Sequence, residues 1–295
     1  MDALKIISWG TWGLKRLPYG HELVKAARGR LVRVPFRISH AAIHTVRQIK
    51  ALTEQIQSSP NPTTLGHLET LSEQFCTQAC ELLASLTAGD AAKIHCCVKL
   101  IEPGKTKADD IVRTFVRSSN SGSRGSGDRD RNEVHQAGEC SVWSSIHALN
   151  DGKNEWSGLP CFSCPDLAAA GDKFVCSRKN WRDRYHATIA LPIRYCLDGT
   201  GRNRNLIGFL AFDTKDDSYF SGLPNAFDFV NNPEAFESKL LQTPVFDALA
   251  TVTDSFGMAL AGLWETADNL TAIETLKIPA TKTPEHTTQS TENNG

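Results

Sequence analysis

Four cysteines in the middle of the chain, Cys140, Cys161, Cys164 and Cys176, come closest in type and spacing to a chemical site. Separated by 20, 2 and 11 residues, they offer four thiolates that could close around a tetrahedral zinc ion, although one CxxC pair is a less specific signal than two. The plainer reading is of small packed or exposed thiols. His135, His147 and His186 have the right chemistry for acid-base work, yet none stands at fixed spacing from a serine, cysteine or carboxylate pair that would need it. They are expected as polar edges or core residues, and no catalytic residue is assigned. Trp143, Trp156 and Trp181 could stack a planar ligand or simply pack against one another.

The chain around these residues has 295 positions, 40% of them hydrophobic and 22% charged, which excludes a wholly disordered or collagen-like polymer and allows one large domain or two small ones. The uncharged runs after Lys5 and after Asp254 are too short for a membrane-spanning helix, which needs roughly 18 apolar residues. No small-residue cleavage site follows the first run, so a secretory signal is not expected. Nine cysteines in such a chain suggest reduced thiols. The expected compartment is therefore the cytoplasm, with peripheral attachment to a membrane as an alternative. Charge is unevenly placed: residues 1–50 hold a surplus of +8 although the whole chain sums to −1. Lys15, Arg16, Arg28, Arg30, Arg33 and Arg37 could meet an anionic surface, either membrane or nucleic acid.

Glycines and prolines, including Gly10, Gly20, Gly29 and Pro35, divide residues 1–38 into what should be short pieces of a basic arm. A helical segment is expected over 39–88. Its first helix carries a narrow stripe of Ala42, Val46, Ile49, Thr53 and Ile56, a pattern that zips onto another helix. Asn61-Pro62 caps and opens a second helix, which ends near Gly89. The period then changes to two, predicting strands from Ile94 to Leu100 and from Ile111 to Arg117 as a hairpin. Residues 118–132 hold no apolar side chain and read as a mobile surface loop, whose Arg124, Arg129 and Arg131 could alternatively capture phosphate. A short helix over Ser141–Leu149 precedes a long irregular stretch, Asp151–Asp183. Strands follow at Ala187–Arg194 and Leu206–Phe212, and Thr243-Pro244 starts a last helix with a stripe of Leu249, Val252, Phe256, Leu260 and Leu263. Residues 279–295 read as a disordered tail.

This order predicts an α+β fold with a central antiparallel sheet of about five or six strands, helices on one face, and the N- and C-terminal helices packed together. Within it, Trp181-Arg-Asp-Arg-Tyr185-His-Ala-Thr-Ile-Ala-Leu-Pro192-Ile193-Arg194, followed by Asn205-Leu-Ile-Gly208-Phe-Leu-Ala-Phe-Asp213 and Phe220, resembles the GAF domain. In that family a late strand commonly ends in a Pro-Ile-Arg-like turn, and the next strand is a hydrophobic-Gly-hydrophobic run closing on Asp. The resemblance covers roughly 88–264 and places a GAF-like domain over 89–268, standing alone with its flanking helices. Pro192 must then sit at a strand end or bulge, Gly208 marks close approach by a neighbouring backbone, and Asp213 ends its strand.

The resemblance implies a small-molecule pocket under the irregular segments, walled by Ser141, Trp143, Phe162, Asp166, Trp181 and Tyr185. The acidic, Asn- and Lys-containing signature of the cyclic-nucleotide class is not visible, so the ligand and any cofactor are unknown. The expected function is a non-enzymatic sensory or regulatory module that pairs with a second copy through its terminal helices. An alternative from the same resemblance is a thiol enzyme of the free methionine sulfoxide reductase type working from the loop cysteines, although its Gly-Val-Cys-Gly type of motif is missing. A scaffold tethered to a membrane or polyanion through residues 1–37 is the third reading.

Overall fold

The computed structural model describes residues 20–59, 61–87, 89–102, 104–105, 109–124, 134–147, 161–177, 181–183, 185–196, 204–216, 219–220, 222–229 and 232–264. Its first element, α1 (Gly20–Ser58), is longer than expected, since it begins well inside the basic segment and runs on through Pro35. A proline inside a helix removes one hydrogen bond at a cost of about 3 kcal/mol. Around it, however, Glu, Leu, Lys, Ala and Arg dominate residues 22–33, and these are the strongest helix formers. The second helix, α2 (Pro62–Thr87), opens as its sequence suggests, with Asn61 Oδ1 accepting the Thr63 N–H at 2.8 Å.

The last helix, α6 (Pro244–Trp264), packs with α1 and α2 into one layer. The Ala42–Ile56 stripe is spent inside this layer: Ala42 and Ile49 are fully buried, and the Thr53 hydroxyl donates to the Ala259 carbonyl of α6 at 2.8 Å. Phe75 of α2 stacks on Phe256 of α6, with centroids 4.4 Å apart. The pairing face that the pattern offered to another helix is thus covered by the same chain.

Beneath the helices lies a six-stranded antiparallel sheet in the order β3-β2-β1-β6-β5-β4. Its strands are β1 (Ile94–Glu102), β2 (Ile111–Arg117), β3 (Val134–Gln136), β4 (Phe162–Cys164), β5 (Ala187–Cys196) and β6 (Arg204–Thr214). The hairpin and the two late strands match their periodicity. Strands β3 and β4 were not anticipated, because three residues are too few to show a period of two. Three further short α-helices, α3 (Ser141–His147), α4 (Leu167–Ala170) and α5 (Pro233–Leu241), and several short turns of 3-10 helix lie in the connections.

Alternation assigns the two faces. Ile94, Cys96 and Val98 of β1, with Leu210 and Phe212 of β6, lie under the helices, where the Cys96 thiol meets those of Cys76 and Cys80. Helix and sheet approach closely at Gly257, where an added Cβ would stand 2.0 Å from the Arg194 carbonyl oxygen. Gly208 is similarly confined, with the Lys99 carbonyl oxygen 2.1 Å from where its Cβ would be. Pro192 is accommodated because β4 pairs with β5 only as far as Ala190 and a register shift follows between Ile193 and Arg194. Rather than ending at the Pro-Ile-Arg sequence, β5 continues to Cys196.

The polar segment after β2 is better anchored at its start than its composition predicts. Ser118 Oγ accepts the Cys96 N–H at 3.1 Å, and the Asn120 amide donates to the Ala91 and Ile94 carbonyls. Side-chain hydrogen bonds to the end of β1 replace apolar contacts here, so Ser118 and Ser121 are buried. Residues 125–133, including Arg129 and Arg131, lie outside the described residues, as do 1–19 and the 279–295 tail.

Candidate functional site

On the sheet face opposite the helical layer, a cavity of about 70 Å³ lies between the strands and the irregular segments. Its floor is built by strand register. Cys97 of β1 pairs with Ala211 of β6 and with Arg117 of β2, and Lys99 lies two residues along on the same face. Thr188 of β5 and Asp213 of β6 form the next cross-strand pair, and His135 of β3 reaches the cavity from the far edge. Val142, Trp143, Phe174 and Tyr185 supply an apolar wall. The wall is tied together by Ser141, whose Oγ accepts the Val175 N–H at 2.8 Å and whose own N–H donates to the Val175 carbonyl.

Lysine 99 is the least expected part of this floor. It is only 8% exposed, its Nζ donates to Thr114 Oγ1 at 2.9 Å, and it lies 5.7 Å from the centroid of the Trp143 ring. A buried ammonium is costly unless hydrogen bonds, aromatic faces or opposite charges surround it. Arg117 and Asp213 stand close enough that both, with Lys99, act on the Cys97 thiol. Burial pushes that thiol up, while the two cations pull it back toward its usual range. His135 Nδ1 lies 2.6 Å from Ser177 Oγ, which fastens the histidine edge to the Phe174–Ser177 segment.

Of the six residues expected to wall a pocket, Trp143 and Tyr185 line this cavity. Trp181 stands behind them, edge-on to Phe174 at 4.7 Å and stacked near Tyr185. Ser141 is the tie described above. Phe162 belongs to an aromatic cluster with Phe174 and Phe227, and exposed Asp166 caps α4 by accepting the Ala169 N–H. Trp156 lies outside the described residues. Asp213 differs from expectation too, since β6 continues to Thr214, whose hydroxyl accepts the Asp216 N–H at the turn and leaves Asp213 facing the cavity. The polar floor is not legible in the sequence because its members come from five strands, but a lone lysine on a strand face between Cys97 and Ile101 is a usable signal.

The four cysteines divide. Cys140 and Cys176 are hydrogen-bonded to each other on the cavity wall, and Cys176 lies 3.5 Å from the Tyr185 hydroxyl. Cys161 faces the charge of Arg194, and Cys164 donates to the Asp166 carbonyl. Among the described residues no three of His, Cys, Asp and Glu converge as metal ligands, so the four-thiolate zinc arrangement is not assembled. The hydrogen bond to Cys176, followed by burial, holds the Cys140 thiol well above its ordinary range, and burial pushes Cys164 up to about 11.

Thiol protonation carries a prediction for alkylation by iodoacetamide at pH 8. Cys164 should react roughly a hundredfold more slowly in the folded protein than after denaturation, read by mass spectrometry of peptides. Because the folded thiol keeps its proton to about pH 11 while an unfolded one starts to lose it near 9, its contribution to stability is complete below pH 9 and falls as pH rises from there. Rapid labelling of Cys164 in folded protein would contradict this environment.

Arg28, Arg30, Arg33 and Arg37 belong to α1, where Arg37 is exposed, and Lys15 and Arg16 lie outside the described residues. Among the described residues no helix is long and apolar enough to cross a membrane. Comparison of the chain with protein-family models, curated proteins and solved structures finds no match.

Proposed function

We propose that this chain is a GAF-like sensory or regulatory module, non-enzymatic, that binds a small molecule on the sheet face opposite its helices. The observation that carries the reading is the cavity itself, with polar strand residues below, aromatic side chains beside it and a three-helix layer behind the same sheet. Occupancy would bias the strands and segments around it, and through β5 and β6 the packing of α6, so that a second protein could read the change. Pairing with a second copy belongs to the proposal. With the α1 stripe buried, that contact falls to outward faces such as those carrying Arg47, Lys50 and Met258.

Ala211 offers the test, because it lies on the cavity floor and is 8% exposed. Ala211→Leu adds three carbon atoms to the floor, which should fill the cavity at a stability cost under about 3 kcal/mol. Native mass spectrometry of the gently purified protein should show a bound organic mass that this variant lacks. The same adduct on both proteins would place the ligand elsewhere.

A thiol enzyme is the second reading, favoured by Cys140 and Cys176 meeting on the cavity wall. The raised Cys140 thiol argues against it, since nucleophilic thiols are normally held below their ordinary range.

A further inference from the structure

We infer that Cys140 and Cys176 form a site of reversible oxidation by small hydroperoxides, at which a disulfide closes and clamps the Phe174–Ser177 segment to the start of α3. This goes beyond the proposed function and stands whether or not the cavity holds a ligand.

Geometry selects this pair. The two thiols are hydrogen-bonded to each other, and the residues beside them are held together independently: the Ser141 N–H donates to the Val175 carbonyl at 2.9 Å, while Ser141 Oγ accepts the Val175 N–H at 2.8 Å. With both backbones tied, the sulfurs need only close from hydrogen-bonding contact to the bonded distance of about 2.0 Å. The CxxC pair cannot do the same. Phe162 and Ser163 are extended in β4, so the Cα atoms of Cys161 and Cys164 lie roughly 10 Å apart, beyond the ~7 Å that a disulfide spans. Cys96 touches Cys76 and Cys80, but all three are at most 1% exposed beneath the helices and so are sealed from a dissolved oxidant.

Access sets the order of events. Among the described cysteine side chains Cys176 alone is not buried, and Val175 beside it is 56% exposed, whereas Cys140 is 4% exposed. The Cys176 sulfur therefore meets the hydroperoxide: an S–O bond forms, the O–O bond breaks, and the thiol becomes a sulfenic acid as an alcohol or water leaves. The Cys140 sulfur then attacks the Cys176 sulfur. An S–S bond forms, the S–O bond breaks, and the departing hydroxide leaves as water with the Cys140 proton. Two thiols together lose two electrons and the peroxide gains them. Cys140 holds its proton tightly, which makes it a poor free nucleophile, but its attack is intramolecular and contact supplies a high effective concentration. A dithiol reopens the bond by exchange and is itself oxidised.

Trypsin makes the test direct, since Lys153, Lys173 and Arg178 put Cys140, the Cys161–Cys164 pair and Cys176 on three separate peptides. The full chain is treated with a few equivalents of hydrogen peroxide, its remaining thiols are blocked with N-ethylmaleimide in denaturant, and it is digested without reduction. Peptides 133–153 and 174–178 should emerge joined, with the loss of two hydrogens, and should separate after dithiothreitol. In Cys140→Ser, oxidation should stop at a Cys176 sulfenic acid that dimedone labels; in Cys176→Ser, Cys140 should remain a thiol. The oxidised wild type should melt about 5 °C or more above the reduced protein, because the link closes a long loop. Absence of any linkage, linkage of either peptide to 154–173, or a joined pair found only in covalent dimers would overturn the assignment. An unchanged or lowered melting temperature would overturn the clamp. The wild-type peptide map decides even if a variant fails to fold.

Discussion

Ile49→Glu is expected to unfold the helical layer, with a loss of about 4 kcal/mol or more, rather than to separate two intact subunits. Ile49 is fully buried on α1, and its neighbours along the stripe, Ala42, Val46, Thr53 and Ile56, are all at least nine-tenths buried by α2 and α6 of the same chain. A carboxylate placed there is cut off from water, so it must either remain charged at a high desolvation cost or take up a proton well above its normal range. Both are costly, and buried unpaired charges are among the few substitutions that exceed 4 kcal/mol. Urea unfolding followed by circular dichroism, run beside sedimentation velocity, separates the outcomes. A variant with unchanged unfolding midpoint and altered subunit number would mean that the stripe faces a second copy.

A second large effect is expected at Gly257. The helix α6 rests so closely on β5 that a methyl group there would overlap the Arg194 carbonyl oxygen, at a separation of 2.0 Å. Backbone cannot swing aside as a long side chain can, so Gly257→Ala must lift α6 or displace β5. An overpacked contact of this kind costs typically 1–3 kcal/mol, and Gly257→Val should reach or exceed the upper end. The gain in helix propensity from Gly to Ala, about 1 kcal/mol, opposes this loss only in part. Because Arg194 follows directly on the register shift in β5, the displacement should also reach the sheet that carries the cavity floor. Thermal unfolding of the Ala and Val variants gives the order, and a Gly257→Ala protein more stable than the wild type would contradict the close approach.

Much of the frame is legible in the sequence. The β1–β2 hairpin, the long helices and the late strands follow from periodicity, because each is long enough to repeat its pattern several times. Asn61, Pro62 and Pro244 mark helix starts through local chemistry that depends on nothing distant. Local signals compete over residues 20–38: Pro35 and nearby glycines favour breaks, while the surrounding Ala, Leu and Arg residues sustain one helix. The short strands β3 and β4 exist only because β2 and β5 present edges to them.

The candidate site divides in the same way. Trp143 and Tyr185 flank the irregular stretch and are among the pocket residues that the resemblance implies, and the structure places both on the cavity wall. Lys99, Arg117, His135 and Asp213 are spread over more than a hundred residues and are joined only when four strands take their register. Composition and periodicity determined by themselves that this is an α+β chain with long flanking helices and strands able to pair, since those properties arise within a few turns of backbone. Tertiary structure alone decided that the α1 stripe is covered from within, that Cys140 meets Cys176 while Cys161 and Cys164 stand apart, and that a buried lysine, an arginine and a carboxylate share one cavity. Each of these depends on contacts between residues far apart in the chain, whose energies favour one packing arrangement but leave no mark on any short stretch of sequence.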